Sequence, residues 1–392
     1  GGNIVFQGAG TVLNLLAGQG NAAGTNFTGT SVSFAKGIAL ADYVPTATIV
    51  LDRSTGTAAT AIQNKTIILT GGITFGQSNL ENGQILRIDG RNGYRLQVNG
   101  TVTLNGRSAF AIENGYSGLG SDLFLDGKVT GTGTLIKGPV DSKGRELNLR
   151  NVSSLNDWTN GTVLQGGTLR VFAKAPNSAV NAVSSITAGG LGNGAITLMQ
   201  GVLDLRVDKD GGTAADSDNE RVIYGSGATG PNIQVRGSST INVDRTGLVA
   251  AGANKQVVLG NLSIGSEILT VSGGNTYGLE IGGTTTLEGN AFFNNGVDFV
   301  LNGAVSSGGG QVLIHKIGTG TFWVNSNNAA TLTGPTYVNS GLLDWGNRFT
   351  FSTTANLGTG DIYINPGATA RVRGVGNLNT ASGQQMVLTS TP

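Results

Sequence analysis

The sequence predicts an all-β protein wound as a parallel β-helix, or β-solenoid, and three observations lead to this fold class. Residues 84–110 recur without a gap at residues 267–293, with 12 of 27 positions identical. Both copies alternate apolar and variable positions, which is the pattern of strands that bury one face. Glycine accounts for 66 of 392 residues and separates these short strands. Internal repetition of strands between glycine corners is typical of a solenoid.

The duplicated segment shows which side of each strand faces the interior. Every second residue, which we call one phase of the strand, keeps its bulk or apolar character: Tyr94 corresponds to Tyr277, Leu96 to Leu279, and Val98 to Ile281. Positions of the other phase change freely, as where Arg95 corresponds to Gly278. We therefore expect Tyr94 and Tyr277 to point into the core.

The repeat extends beyond this segment and predicts two tandem halves. Asp52–Arg53 corresponds to Asp244–Arg245, and Asn64–Lys65 to Asn254–Lys255. We expect a first β-helical half over residues 1–207 and a second, continuous with it, over 232–392. Residues 208–231 form the most polar stretch and are expected to protrude as a loop between them.

Two other all-β folds are alternatives to the β-helix. A propeller requires a constant blade of about 40–45 residues, and no such period occurs. A sandwich requires hairpins with Asn-Gly turns, and Asn-Gly does occur at several places, so this alternative stays open. A β-helix tolerates loops of different lengths between strands of one phase, and its coils would take roughly 20–25 residues each.

Composition argues against several classes of partner. The charges are sparse and balanced, with 24 Lys and Arg against 23 Asp and Glu, so nothing favours nucleic acid or an anionic membrane surface. No apolar run approaches the length of a membrane span. The chain has no Cys, which suits an oxidising compartment. We expect a segment of a longer secreted protein, with its signal and anchor outside it.

Three stretches resemble the autotransporter-associated β-strand repeat of bacterial passenger domains. That repeat has a G-x-G-T-L strand, an Asn-rich turn, a T-G-x-T-x-V strand and a G-G-x-L segment. The copies in this chain are GTGTLIKG (131–138) with TNGTVLQGGTLRV (159–171), GTGTF (318–322) with TLTGPTYVNSGLLDW (331–345), and GAGTVLNL (8–15) with NFTGTSVSFAKGIAL (26–40). Pro335 and Lys36 depart from the pattern.

The resemblance implies a right-handed, single-stranded parallel β-helix on a bacterial surface. It implies no particular ligand, because passengers of this kind serve as adhesins, as stalks and occasionally as enzymes.

One group of carboxylates is a candidate metal site. Asp208, Asp210, Asp216 and Asp218, followed by Glu220, crowd into thirteen residues, and alternate carboxylates can bind Ca²⁺. Their spacing fits neither an EF-hand nor a calcium-binding glycine-rich turn. A solvated acidic loop is the favoured interpretation, with calcium as the alternative.

The residues that usually carry catalysis are expected to be structural in this chain. His315 lies next to Lys316 and is expected to face outward without a carboxylate partner, which makes it a poor general base. The recurring Asp-Arg pairs are expected to be ion pairs or turns. Of the tryptophans, Trp158 and Trp345 are expected in the core rather than in a sugar-stacking platform. Asn294, Asn295, Asn325, Asn327 and Asn328 are expected to stack as amide ladders between coils.

The sequence therefore predicts a non-enzymatic, extracellular bacterial protein that needs no cofactor. Its β-helix would serve as an adhesin, stalk or filament element, in contact with a host or neighbouring cell, a glycan or matrix, or with its own copies end to end. The alternative is a polysaccharide-acting β-helix enzyme, or a glycan-binding protein like a phage tailspike.

Overall fold

The computed structural model of the chain describes seventeen ranges of residues. They are 2–17, 31–53, 65–77, 83–91, 94–114, 122–138, 145–151, 156–175, 183–185, 188–209, 221–224, 230–245, 255–308, 310–326, 331–346, 358–372 and 385–389. Within them all regular structure is β-strand, and the strands pair in parallel. The protein is a parallel β-helix, as the sequence predicts.

The chain divides into two compact units. The first is Gly1–Ala173 with Ala188–Gly194, and the second is Lys174–Thr187 with Ala195–Pro392. The division falls earlier in the chain than the change of halves that the sequence repeat indicates.

In its described ranges the first unit contributes strands to three sheets, and these strands follow one another in space in the order of their numbers. Sheet 1A has β1 (Ile4–Phe6), β4 (Ile38–Leu40), β7 (Ile73–Thr74), β10 (Val102–Leu104) and β13 (Val129–Gly131). Sheet 1B has β2 (Thr11–Ala17), β5 (Thr46–Arg53), β8 (Gln84–Gly90), β11 (Arg107–Asn114), β14 (Thr134–Lys137) and β16 (Thr162–Leu164). Sheet 1C has β3 (Ser31–Phe34), β6 (Lys65–Leu69), β9 (Tyr94–Val98), β12 (Leu123–Leu125), β15 (Glu146–Leu149) and β17 (Thr168–Ala175), with which β19 (Ala188–Gly189) also pairs.

Among its described residues the second unit likewise contributes strands to three sheets, ordered in the same way. Sheet 2A has β20 (Ile196–Leu198), β23 (Ile233–Val235), β26 (Leu262–Ile264), β29 (Thr285–Leu287) and β32 (Val305–Ser306). Sheet 2B has β21 (Gly201–Lys209), β24 (Ser239–Arg245), β27 (Ile268–Gly273), β30 (Ala291–Asn295), β33 (Ile314–Ile317), β35 (Thr336–Val338), β37 (Ile362–Ile364) and β39 (Met386–Leu388). Sheet 2C has β18 (Val183–Ser185), β22 (Arg221–Ile223), β25 (Lys255–Leu259), β28 (Tyr277–Ile281), β31 (Phe299–Leu301), β34 (Thr321–Val324), β36 (Leu342–Trp345) and β38 (Thr369–Val372).

The order of strands along the chain establishes the winding. From β1 to β15 the chain visits sheets 1A, 1B and 1C in turn, and each new strand pairs with the one a full coil earlier. Coil length varies: Thr285 and Val305 are in register 20 residues apart, whereas Ile196 and Ile233 are 37 apart. The predicted coil length fits the shorter coils, because loops lengthen the others. The right-handed sense stays a prediction.

The core of each unit is formed by the inward phase of its strands. Tyr94 and Tyr277 are only 4% and 2% exposed, so their predicted inward orientation is confirmed. In the second unit Phe293, Phe299 and Phe322 pack together with ring centroids 5.1–5.5 Å apart. Such burial of stacked apolar columns supplies most of the stability of a solenoid.

Part of the segment expected to protrude is a strand of the second unit. Within 208–231, β22 pairs with β18 and β25 in sheet 2C, and Val222, Ile223 and Tyr224 are buried. This apolar run is too short to be distinguished from its polar surroundings by pattern alone. Residues 210–220 and 225–229 lie outside the described part.

Candidate functional site

Four ring side chains form one column on the outer face of sheet 2B. Phe292, His315, Tyr337 and Tyr363 stand in register on the neighbouring strands β30, β33, β35 and β37. Their flanking residues Ile314 and Ile362 point inward and are buried, so the alternation of each strand places the rings outward. We call these four residues the ring column.

The rings of the column stack on one another. Centroids are 4.5 Å apart between Phe292 and His315, 5.1 Å between His315 and Tyr337, and 4.7 Å between Tyr337 and Tyr363. The planes differ by only 8–12°. These separations match the spacing of adjacent strands, about 4.7–4.9 Å. Since the rings stack on one another, the column offers mainly ring edges and polar ring atoms to solvent.

The position of His315 decides its chemistry. The side chain is half-buried on the outer face, as predicted, and burial lowers its pKa below the usual value. Its ring contacts are the uncharged Phe292 and Tyr337. A neutral imidazole between two rings serves as a stacking group, and the described residues provide no carboxylate that would orient it as a general base.

Lys316, the neighbour of His315, points the other way. It is fully buried, and its ammonium donates hydrogen bonds to the carbonyl oxygens of Ile317 at 2.9 Å, Gly318 at 2.7 Å and Ser340 at 3.1 Å. Burial lowers the pKa of Lys316 to about 8. The lysine thus ties the turn after β33 to the next coil. Sequence reasoning missed this role, because a lysine next to an outward histidine gives no signal of burial beyond the alternation itself.

A buried lysine also explains part of the internal repeat. The ammonium of Lys255 lies 5.3 Å from the ring centroid of Tyr277, its register partner on β28. In the first unit Lys65 and Tyr94 are register partners in the same way. A cation over an aromatic face is attracted by the ring quadrupole. The duplication therefore repeats the backbone register of a lysine with a tyrosine on the next coil.

Amide side chains form ladders between coils, as the sequence predicts for Asn325. Its amide donates to Asn302 Oδ1 at 3.2 Å. Asn365 likewise donates to Asn339 at 2.6 Å, directly beside the ring column. Asn295 instead uses its amide for two backbone carbonyl oxygens, at 2.7 and 3.0 Å.

The remaining asparagines of that prediction have different outcomes. Asn294 donates to the Thr270 hydroxyl of the preceding coil at 3.4 Å. Asn327 and Asn328 lie outside the described residues.

The second copy of the Asp-Arg motif is structural, but its ion pair has another partner. Asp244 accepts hydrogen bonds from Arg206 at 2.8 Å and from Asn275 at 2.7 Å. Arg206 is the register partner of Asp244 on the preceding coil. Arg245 bonds to Asp244 through its backbone N–H. In the first copy Asp52 is half-buried, and the side chain of Arg53 lies outside the described part.

Most ion pairs among the described residues join coils. Arg150 pairs with Asp126, 24 residues earlier, through two hydrogen bonds of 2.8 and 2.9 Å. Arg170 pairs with Glu146 across the same separation. Further pairs of this kind are Arg87–Glu113, Lys128–Asp157, Arg221–Glu280, Arg236–Glu288 and Arg371–Asp344. Carboxylates that an enzyme would need for acid–base chemistry are thus held by basic side chains one or two coils away.

The tryptophans do not form a sugar-stacking platform. Trp158 is fully buried and donates its indole N–H to the Gly161 carbonyl at 2.9 Å. Trp345 is 7% exposed and Trp323 is 6% exposed. The predicted core positions of Trp158 and Trp345 are confirmed.

The acidic segment stays a prediction in both of its interpretations. Asp208 lies near the end of β21, and Asp210, Asp216, Asp218 and Glu220 fall outside the described residues. Within the described ranges, no three His, Cys, Asp or Glu side chains cluster in a way that would hold a metal ion. The same ranges contain no helix long and apolar enough to span a membrane.

The fold defines the chain as a parallel β-helix protein with inter-coil side-chain ladders. Comparison with models of known families, with curated proteins and with solved structures finds no match.

Proposed function

We propose that this chain is a non-enzymatic, secreted bacterial surface protein whose β-helix acts as an adhesin, stalk or filament element. The observation that carries the proposal is the use of reactive side chains. The histidine stacks between rings, most ion pairs join neighbouring coils, and Lys316 caps backbone carbonyls. In such a chain most of these polar groups connect one coil to another. That suits a rigid surface element better than a catalytic groove.

The test separates adhesion from catalysis. Beads coated with the purified chain are offered host cells, matrix proteins and a panel of surface glycans, and both binding and released sugar are measured. We expect saturable binding without sugar release. Release of reducing sugar from any glycan would instead establish the polysaccharide-acting enzyme.

One observation favours glycan as the ligand class, as in a non-catalytic tailspike-like protein. The ring column and the adjacent Asn339–Asn365 ladder place uncharged hydroxyl, imidazole and amide groups in parallel lines. Such groups suit a neutral, hydroxyl-rich ligand. We expect the double variant Tyr337→Ala/Tyr363→Ala to lose glycan binding, while Tyr43→Ala, at an exposed tyrosine of the first unit, keeps it. Equal binding by the two variants would remove the ring column as the binding site.

The filament version of the proposal is supported by β39. Met386 and Leu388 stand in register with the inward residues Ile362 and Ile364, yet they are 45% and 79% exposed. Apolar inward positions of this kind are suited to being covered by a further coil, from this protein or from a second copy. We expect electron microscopy at high concentration to show end-to-end association. Isolated particles under those conditions would argue against it.

A further inference from the structure

Two tyrosines of the ring column form a stacked pair with free hydroxyl groups. Tyr337 and Tyr363 are register partners on β35 and β37, with ring centroids 4.7 Å apart and planes 11° from parallel. Both side chains are half-buried. Their hydroxyl oxygens have no hydrogen-bond partner among the described residues, and neither oxygen is buried. The phenols are therefore held together by the sheet while their polar ends meet solvent.

The other described tyrosines lack this combination. Tyr94, Tyr224 and Tyr277 are buried in the interior, and Tyr43 is 66% exposed. No other stacked pair of tyrosines occurs among the residues that the structure describes. Among the described tyrosines, Tyr337 and Tyr363 are therefore the one pair that is both accessible to a one-electron oxidant and already in contact.

We propose that Tyr337 and Tyr363 are a site of oxidative cross-linking, at which a dityrosine bond joins two adjacent coils. The co-reactant is hydrogen peroxide with a haem peroxidase that oxidises phenols by one electron. Each phenol loses one electron and its hydroxyl proton and becomes a phenoxyl radical. The two radicals join through a carbon–carbon bond between ring positions ortho to the oxygens. The hydrogens on those carbons then move to the oxygens, which restores both phenols.

The atoms and electrons of this step balance. The protein loses two hydrogen atoms, and hydrogen peroxide takes up two protons and two electrons to give two molecules of water. The backbone favours coupling within one chain, because parallel strands hold the two residues in register about 4.8 Å apart. Two groups that are held next to each other react as if each were present at very high concentration. Coupling within one chain should therefore be faster than coupling between two molecules.

The bond would provide a covalent link between coils, which the chain cannot make with disulfides. The chain has no Cys and so cannot form a disulfide between coils. A dityrosine bond would join residues 26 positions apart, Tyr337 and Tyr363, on consecutive turns of the solenoid. The inference is independent of whether the chain is an adhesin.

The test oxidises the full chain at high dilution with peroxidase and hydrogen peroxide. We expect dityrosine fluorescence in the monomer, and a cross-linked peptide pair containing Tyr337 and Tyr363 that has lost two hydrogen atoms. Tyr337→Phe and Tyr363→Phe keep the stacked rings, and each should abolish the intramolecular product. Tyr43→Phe should leave it unchanged.

Two results would overturn the proposal. One is an oxidised monomer with no 337–363 cross-link although peroxidase oxidises free tyrosine in the same tube. The other is a monomeric dityrosine signal that survives in both Phe variants. Circular dichroism of each variant checks that the loss of product does not come from loss of the fold.

Discussion

His315 is the only histidine of the chain, and its burial links the ring column to pH. Burial lowers its folded pKa below the usual 6.5, so the unfolded chain binds more protons in the interval between the two values. The contribution of the neutral His315 to stability is therefore fully present above pH 6.5, and it is lost as the pH falls through that interval.

The first prediction concerns the variant His315→Phe, which keeps a ring in the column but cannot take up a proton. When the pH is lowered from 7 to below 6.5, the free energy of unfolding should fall less for the variant than for the wild type, and urea unfolding measures both values. Measurements of both proteins at pH 8 provide the reference. Parallel curves for the two proteins would show that the imidazole does not contribute to the acid dependence.

Lys316 gives the second prediction, at alkaline pH. Burial lowers its folded pKa from 10.5 to about 8, so between these values the unfolded chain binds more protons. The free energy of unfolding should therefore rise with pH across that interval. Lys316→Met removes the titrating group and should reduce the slope. Equal slopes for wild type and variant would mean that burial does not lower the pKa of Lys316.

At the scale of the strand and its corner, glycine is required where a neighbouring coil comes close. A Cβ at Gly334 would stand 1.8 Å from the carbonyl oxygen of Val312, whereas a Cβ at Gly265 would meet nothing within 4 Å. Backbone cannot move aside as a flexible side chain can, so an added methyl group at Gly334 must distort the coil.

This contrast gives the third prediction. Gly334→Ala should lower the free energy of unfolding by about 1–3 kcal/mol, the usual cost of overpacking. Gly265→Ala should change it by less than about 0.5 kcal/mol. Urea denaturation of the two variants measures both values, and similar losses would contradict the close approach at Gly334.

The ring column provides the fourth prediction, for an element built from stacked side chains. Tyr337→Ala removes two stacking contacts, with His315 and Tyr363. Each aromatic pair contributes about 0.5–1.5 kcal/mol beyond its buried area. We expect a loss of about 1–3 kcal/mol in urea unfolding, against almost none for Tyr43→Ala. If Tyr337→Ala leaves the free energy of unfolding unchanged, the stack does not contribute to stability.

For the whole molecule, the ion pairs between coils predict a weak response to salt. Most of their side chains are partly exposed, for example 34% and 29% for Arg150 and Asp126, although Glu280 and Asp344 are buried. Pairs of this kind contribute about 0–1 kcal/mol each and are screened by salt. The fifth prediction is therefore a small, steady fall in stability as sodium chloride is raised. A collapse of the fold in salt would mean that charge, and not the apolar core, holds the coils.

Much of the fold could be predicted from local pattern. Alternation of apolar residues identified the inward phase of β9 and β28, and with it the burial of Tyr94 and Tyr277. It failed at β22, where a short apolar run follows a long polar stretch and tertiary pairing decides the strand.

The candidate site was largely beyond sequence reasoning. The outward position of His315 follows from alternation, but its neighbours Phe292 and Tyr337 lie 23 and 22 residues away along the chain. The same holds for Asp244, whose true partner Arg206 is 38 residues away. Coil lengths vary with the loops, so counting along the sequence cannot tell which side chains become neighbours.

The sequence by itself determined the class of fold and the phase of its main strands, because a strand with one buried face shows that face in every second residue. The tertiary structure alone decided the ring column, the inter-coil ion pairs and the carbonyl partners of Lys316. These depend on the register between coils, which is set by packing and by hydrogen bonds between strands distant in the chain.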